Sequence, residues 1–122
     1  MKHVIDVGNC IPDHRAIRMM LEEHFDVSIT QCQSLDEALS AVRSGNCHLM
    51  LVNRKLDRDY SDGLKVIQAL RADRELDHVP VMMITNFEDH QQLAVEAGAE
   101  YGFGKNAIGD SETLGRLKKH LT

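Results

Sequence analysis

Short apolar runs alternate with amphipathic stretches along the whole chain. The runs at about 3–8, 26–32, 48–52, 79–84 and 101–104 are rich in β-branched and other apolar side chains, and they predict strands. Two of them, 48–52 and 79–84, are almost continuously apolar, which is typical of central strands of a parallel sheet covered on both faces.

The stretches between these runs carry apolar residues at helical spacing and predict five helices. The predicted helix starts are Pro12, the capping box Ser34 to Glu37, Asp62-Gly63, Glu88 and Ser111. Strict alternation of strands and helices predicts an α/β fold, a doubly wound parallel sheet with right-handed crossovers and helices on both faces. We find no linker, repeat or low-complexity segment, so one domain is expected over residues 1–122.

In such a sheet the functional groups lie at the carboxyl ends of the strands. The positions to consider there are Asn9-Cys10, Cys32, Asn53, Thr85-Asn86 and Lys105. The Gly8-Asn9-Cys10 turn lacks the G-x-G-x-x-G spacing of a dinucleotide-binding loop, so an independent flavin or nucleotide enzyme is the least favoured reading.

The amino-acid composition disfavours several classes of function. The formal net charge of −5, with 2 Tyr, 3 Phe and no Trp, disfavours a nucleic-acid surface. The apolar runs are too short to span a membrane and no signal segment opens the chain, so we expect no membrane association and a cytoplasmic location. The 3 cysteines and 7 histidines are scattered, which favours reduced thiols, histidines at the surface or at strand ends, and no metal site.

The order of several motifs makes the chain similar to a known family. They are Pro12 after the first strand, Asp62-Gly63-Leu64 at the third helix, Val79-Pro80-Val81 before a strand ending at Thr85, and Glu96–Glu100 leading to Lys105. In this order the whole chain resembles the receiver domain of two-component response regulators. The resemblance implies a flavodoxin-like sheet with strand order 2-1-3-4-5.

The resemblance also implies a phosphorylation pocket, in which an aspartate on the third strand accepts a phosphoryl group. An acidic pair after the first strand would hold Mg²⁺, and a hydroxyl and a lysine would bind the phosphoryl oxygens. Thr85 and Lys105 match the last two positions, but the aspartate position is Asn53 and the acidic pair falls on Asn9 and Cys10. An amide does not form an acyl phosphate, and an amide with a thiol is a poor Mg²⁺ site.

We therefore interpret the chain as a pseudo-receiver, a receiver-like module whose vestigial phosphorylation pocket lacks the phosphoacceptor. We expect no enzyme activity, no cofactor, weak or absent Mg²⁺ binding, and a Lys105 that faces neutral partners. The switch aromatic of the family, three residues before the lysine, is replaced by Gly102, and the loop after Asn53 is longer than usual. The resemblance implies output to a protein partner or a second copy through the fourth helix, fifth strand and fifth helix.

Several alternatives remain open at this point. Asn9, Cys10 and Asn53 could only hold the loops by hydrogen bonds, which we favour over ligand binding. Asp57 or Asp59 could be a displaced phosphoacceptor in the longer loop. Asp6 could be offered as a metal ligand, although it lies too early in its strand. Cys10 beside Lys105 could have a lowered pKa and act as a thiol-based sensor, with Cys32 nearby.

Overall fold

A computed structural model describes residues 1–122 as five parallel strands alternating with helices. The elements are β1 (Lys2–Val7), α1 (Ile11–His24), β2 (Val27–Cys32), α2 (Leu35–Ser44), β3 (Leu49–Asn53), α3 (Leu64–Ala72), β4 (Val81–Ile84), α4 (Glu88–Glu96), β5 (Glu100–Phe103), a 3₁₀ turn (Lys105–Ala107) and α5 (Ser111–Leu121). The sheet order is β2-β1-β3-β4-β5. The predicted fold class and strand order are confirmed.

The sheet separates two apolar cores. On one face, alternate strand residues such as Ile5 and Met50 pack with α2, α3 and α4. On the other face, the intervening residues such as Val4 and Leu51 pack with α1 and α5. Alternation along each strand, with both faces covered, explains why the central strands are apolar at nearly every position.

Local sequence signals define most element ends. The Ser34 side chain accepts a hydrogen bond from the Glu37 amide at 3.2 Å, so the predicted capping box starts α2. The structure begins β4 at Val81, later than the predicted Val79. The Val79 amide bonds to Leu76 and its carbonyl to Arg71, so Val79 is not part of the ladder with β3.

The topology brings the ends of β1, β3 and β4 to one edge of the sheet. Gly8 directly follows β1 with φ of 79°, and a Cβ at this position would clash with Leu56. Leu56, which is 2% exposed, anchors the long β3–α3 loop in the core, and the Asp57 amide bonds to the Gly8 carbonyl at 2.9 Å. The loop is therefore fixed against β1. None of the helices is both long and apolar enough to cross a membrane.

Candidate functional site

A small cavity of about 220 Å³ opens at the carboxyl ends of β3 and β4. Its lining residues are Asn53, Arg54, Lys55, Ile84, Thr85, Asn86, Phe87 and Lys105. The structure thus brings together three of the five predicted pocket residues, Asn53, Thr85 and Lys105. The other two, Asn9 and Cys10, lie after β1 and do not line the cavity.

Asn53, the last residue of β3, uses its side chain to hold the loop that follows. Its amide Nδ2 donates to the Lys55 carbonyl at 2.6 Å and lies 3.5 Å from the Gly8 carbonyl. These contacts tie β3 to its own loop and to the end of β1. The arrangement agrees with a structural role for the amide.

Thr85 closes the turn between β4 and α4. Its hydroxyl oxygen accepts the Phe87 amide at 3.2 Å and lies 3.3 Å from His90 Nδ1. The hydroxyl thereby helps to satisfy the backbone at the start of α4. Thr85 is a cavity residue whose side chain is already hydrogen-bonded.

Lys105 does not face neutral partners, and that prediction was wrong. Its Nζ lies 2.7 Å from Asp13 Oδ2, in the first turn of α1, and the hydrogen bond from Lys105 holds the pKa of Asp13 below its usual value. The sequence signal for Asp13 was present, since it directly follows Pro12 at the same edge of the sheet. The helix dipole by itself favours a carboxylate in a first turn, so the position of Asp13 in the sequence does not indicate a pairing with a distant lysine.

The Cys10 side chain also contacts Asp13. Its Sγ donates to Asp13 Oδ2 at 3.1 Å. The Asp13 backbone lowers the pKa of Cys10, but the hydrogen bond to the Asp13 carboxylate, partial burial and the charge of that carboxylate outweigh this, so the pKa of Cys10 is raised. Burial raises the pKa of Cys32 and of Cys47 to about 11. The alternative in which Lys105 lowers the pKa of Cys10 is therefore not supported, and the thiol-sensor alternative loses its basis.

Replacing Asp13 with asparagine is expected to accelerate alkylation of Cys10 about threefold at neutral pH, because the group that raises its pKa becomes neutral. The rate is measured by iodoacetamide labelling and peptide mass spectrometry. Asp36→Asn, which changes an exposed carboxylate in α2, is the matched control and should leave the rate unchanged. Equal rates in wild type and Asp13→Asn would contradict the assigned contact.

A second hydrogen-bonded cluster after β1 consists of Asp6, Asn9 and His14. Asp6 is fully buried in β1, with Oδ1 accepting from Asn9 Nδ2 at 2.6 Å and Oδ2 lying 2.6 Å from His14 Nδ1. Burial raises the pKa of Asp6 more than the hydrogen bonds from His14 and Asn9 lower it. The prediction that Asp6 lies too early in its strand to reach the β1 end needs correction, because its side chain reaches Asn9. The His14 side chain, in α1, is only 13% exposed, so it is an exception to the expected placement of the histidines at the surface or at strand ends.

The donor set does not fit Mg²⁺, which the resemblance implies. Of the two acidic-pair positions, Cys10 offers a thiol and Asn9 offers a neutral amide oxygen, which is buried without a hydrogen-bond partner. The Asp13 carboxylate is occupied by Lys105, and Asp6 by Asn9 and His14. A hard cation that requires several anionic oxygens would meet only two carboxylates here, and each of them is already paired with a donor.

A buried glutamine joins α4 to β4 and β5. Gln91 of α4 is 2% exposed, and its Nε2 donates to the Met83 and Thr85 carbonyls at 3.0 and 3.3 Å. Its Oε1 accepts the Gly102 amide at 2.9 Å, and a Cβ on Gly102 would clash with the Met83 carbonyl. The predicted absence of an aromatic at residue 102 therefore coincides with close backbone packing between β4 and β5. Sequence reasoning missed Gln91, whose signal is a polar residue among the inward positions of α4.

Comparisons with known proteins give one consistent result. The family model described as response regulator receiver domain matches residues 10–113. The structure is similar to the signal receiver domain of a DNA-binding response regulator from Colwellia psychrerythraea, with 15% identity, a TM-score of 0.81, and 98% of this chain and 97% of that one covered.

Two further solved structures share the fold. Chemotaxis protein CheY4 from Vibrio cholerae has 16% identity and a TM-score of 0.74, with 100% of this chain and 99% of that one covered. NtrX from Brucella abortus has 19% identity and a TM-score of 0.80, with 99% of this chain covered. This chain spans only 27% of that NtrX chain. No curated protein matches the sequence.

Proposed function

Since the chain belongs to the response regulator receiver domain family, we propose that it is a two-component signalling module that works without aspartyl phosphorylation. The observation that supports this proposal is the cavity between β3 and β4, which is lined by Asn53, Thr85 and Lys105 but by no carboxylate. A neutral amide oxygen at the end of β3 cannot attack phosphorus to give an acyl phosphate. We further propose that the module is not an enzyme and acts in the cytoplasm.

A displaced phosphoacceptor in the long loop receives no support from the geometry. Asp57 and Asp59 are exposed, and neither lines the cavity that contains Thr85 and Lys105. The Asp59 carboxylate instead accepts the Ser61 amide at 2.9 Å, and hydrogen bonds from the Ser61 side chain and backbone hold the pKa of Asp59 below its usual value. A phosphoryl group on either aspartate would lack the hydroxyl and the ammonium that bind its oxygens.

We propose that output passes through the output face, defined by exposed side chains of α4, β5 and α5. Tyr101 is 37% exposed; its hydroxyl donates to Glu88 and the Arg116 guanidinium lies 4.7 Å from its ring centroid. Val95, 40% exposed, follows Glu88 by seven residues and so lies on the same side of α4. An exposed aromatic and an aliphatic side chain between charges of both signs favour docking of a protein, such as a second copy.

The experiment that tests this face is sedimentation equilibrium of the purified chain with and without acetyl phosphate. We expect dimers whose affinity does not change with the phosphodonor, and about tenfold weaker association in Val95→Glu, because a charge replaces an exposed apolar side chain of the output face. Met19→Glu is the matched control, since Met19 is an exposed apolar residue of α1. A monomer at all concentrations, or equal weakening by both variants, would contradict docking of a second copy at this face.

A further inference from the structure

The outer side of β2 is one of the two free edges of the sheet. β2 is the first strand in the sheet order and pairs only with β1. The Gly8 amide donates to the Cys32 carbonyl at 2.8 Å, and the Lys2 amide donates to the Asp26 carbonyl at 3.0 Å. Because the backbone groups of successive residues in a strand point to opposite sides, every second residue between these two is also bonded to β1. The residues whose N–H and C=O groups point away from the sheet are therefore Val27, Ile29 and Gln31.

The two edge strands differ in how they are protected against pairing. β5, at the other edge, has only 4 residues, includes the charged Glu100, and shifts its register with β4 between Met82 and Ile84. β2 has 6 residues in continuous register with β1, and it contains no charged residue and no proline. Short length, charges, prolines and bulges are the features that prevent edge strands from pairing. β2 has none of the last three and is the longer of the two edges.

The side chains along β2 leave room for another strand. Ser28 and Thr30 are exposed, and both are small. Ile29 and Gln31 are half-buried on the opposite face. The Thr30 hydroxyl lies 2.7 Å from His3 Nε2, within the same chain, so it is directed along the sheet. An approaching strand therefore meets β-branched and hydroxyl side chains and no charge.

The sequence of β2 is complementary to itself across a twofold axis at Ile29. When two copies of β2 lie antiparallel, Ile29 faces Ile29, and Val27 of each copy faces Gln31 of the other. In this register the outward N–H and C=O groups of all these residues gain hydrogen-bond partners. Ser28 of each copy lies opposite Thr30 of the other, and paired hydroxyl side chains are favoured between neighbouring strands. A second copy of this chain therefore matches the edge in backbone and side chains.

Charge favours the same arrangement. Asp26 directly precedes β2, and its side chain is 79% exposed. Antiparallel pairing about Ile29 keeps the two Asp26 residues roughly 20 Å apart, because six steps along a strand separate them. Parallel pairing in register would place the two carboxylates side by side.

We propose that β2 pairs with β2 of a second copy in this antiparallel register, which joins the two sheets into one. The interface lies at the opposite edge of the sheet from the output face, so it is distinct from the docking proposed there. A pairing of two short strands is weak, and we expect a dissociation constant near about 1 mM.

The test is amide hydrogen exchange of the Val95→Glu variant, measured by NMR at about 0.05 mM and about 1 mM chain. We expect exchange of the outward Ile29 and Gln31 amides to slow about twofold at the higher concentration, because half of the chains are then paired. The Ser28 and Thr30 amides, which bond to β1, should exchange equally at both concentrations. Exchange of Ile29 and Gln31 that does not depend on concentration would overturn a second copy as the occupant of this edge. Since the variant weakens the output face, that result would leave the docking proposed there intact.

Two double variants test the register. Ser28→Lys with Thr30→Lys places like charges opposite each other twice across the axis, which should weaken association about tenfold and remove the concentration dependence. Ser28→Lys with Thr30→Glu places opposite charges there and should retain it. Both variants lose the Thr30 contact with His3, so an effect on folding alone would be common to the two. Equal association of the two double variants would overturn the antiparallel pairing.

Discussion

Replacing Gln91 with leucine is expected to lower the free energy of unfolding by about 3 kcal/mol, because three buried hydrogen bonds are lost while the side-chain volume changes little. The Met83 and Thr85 carbonyls and the Gly102 amide each lose a partner that is only 2% exposed. The effect is measured by urea denaturation. Gln92→Leu is the matched control, since the adjacent Gln92 is exposed and its amide bonds only to Glu88.

We expect the control to change the free energy of unfolding by less than about 0.5 kcal/mol. A Gln91→Leu variant no less stable than Gln92→Leu would contradict the assigned role of the buried amide. The expected loss of stability follows from the number of elements involved, since one side chain joins α4 to both β4 and β5.

The second large effect is expected at Asp6. Asp6→Ala should lower the free energy of unfolding by about 3 kcal/mol, because Asn9 and His14 each lose their acceptor and a cavity is left in β1. Asp6→Asn should instead stabilise the fold by about 1 kcal/mol at pH 8, since an amide can bond to both neighbours without the burial of a charge. Thermal or urea unfolding of the three proteins measures the difference.

The difference in stability between Asp6→Asn and the wild type depends on pH with a definite sign. Burial raises the pKa of Asp6 in the folded state above its unfolded value of 3.8, so the folded protein takes up the proton at higher pH. Ionised Asp6 therefore lowers the free energy of unfolding at neutral pH. The wild type regains this free energy as the pH falls through the folded pKa and Asp6 becomes protonated. The advantage of Asp6→Asn should be largest at pH 8 and should vanish near pH 4. An advantage that grows on acidification would contradict the account.

Most of the fold could be predicted from the sequence because it depends on local patterns. Apolar runs, helical spacing and the Ser34–Glu37 capping box each act over a few residues, and they determine the element order. The sheet order came from the resemblance to a family. Element ends were less predictable where a backbone group bonds outside its own strand, as at Val79.

The site could be predicted only in part because its contacts are long-range. Asn53, Thr85 and Lys105 were placed together since strand ends converge at one edge of the sheet. The pairing of Lys105 with Asp13 joins α1 to the end of β5, and no local pattern indicates which of several carboxylates the lysine meets. The raised pKa of Cys10 follows from a separate hydrogen bond to the same carboxylate, so the unrecognised Asp13 accounts for the surroundings of both Lys105 and Cys10.

The central claim, that the pocket cannot be phosphorylated, is tested most directly by the intact mass of the chain after incubation with acetyl phosphate and Mg²⁺. A variant in which carboxylates are restored by Asn9→Asp, Cys10→Asp and Asn53→Asp, treated in the same way, is the positive control and should gain one phosphoryl group. We predict an unmodified mass for the wild type. A stoichiometric phosphoryl adduct on the wild type that is released by hydroxylamine would contradict the account, and its loss in Asp57→Asn or Asp59→Asn would identify the displaced acceptor.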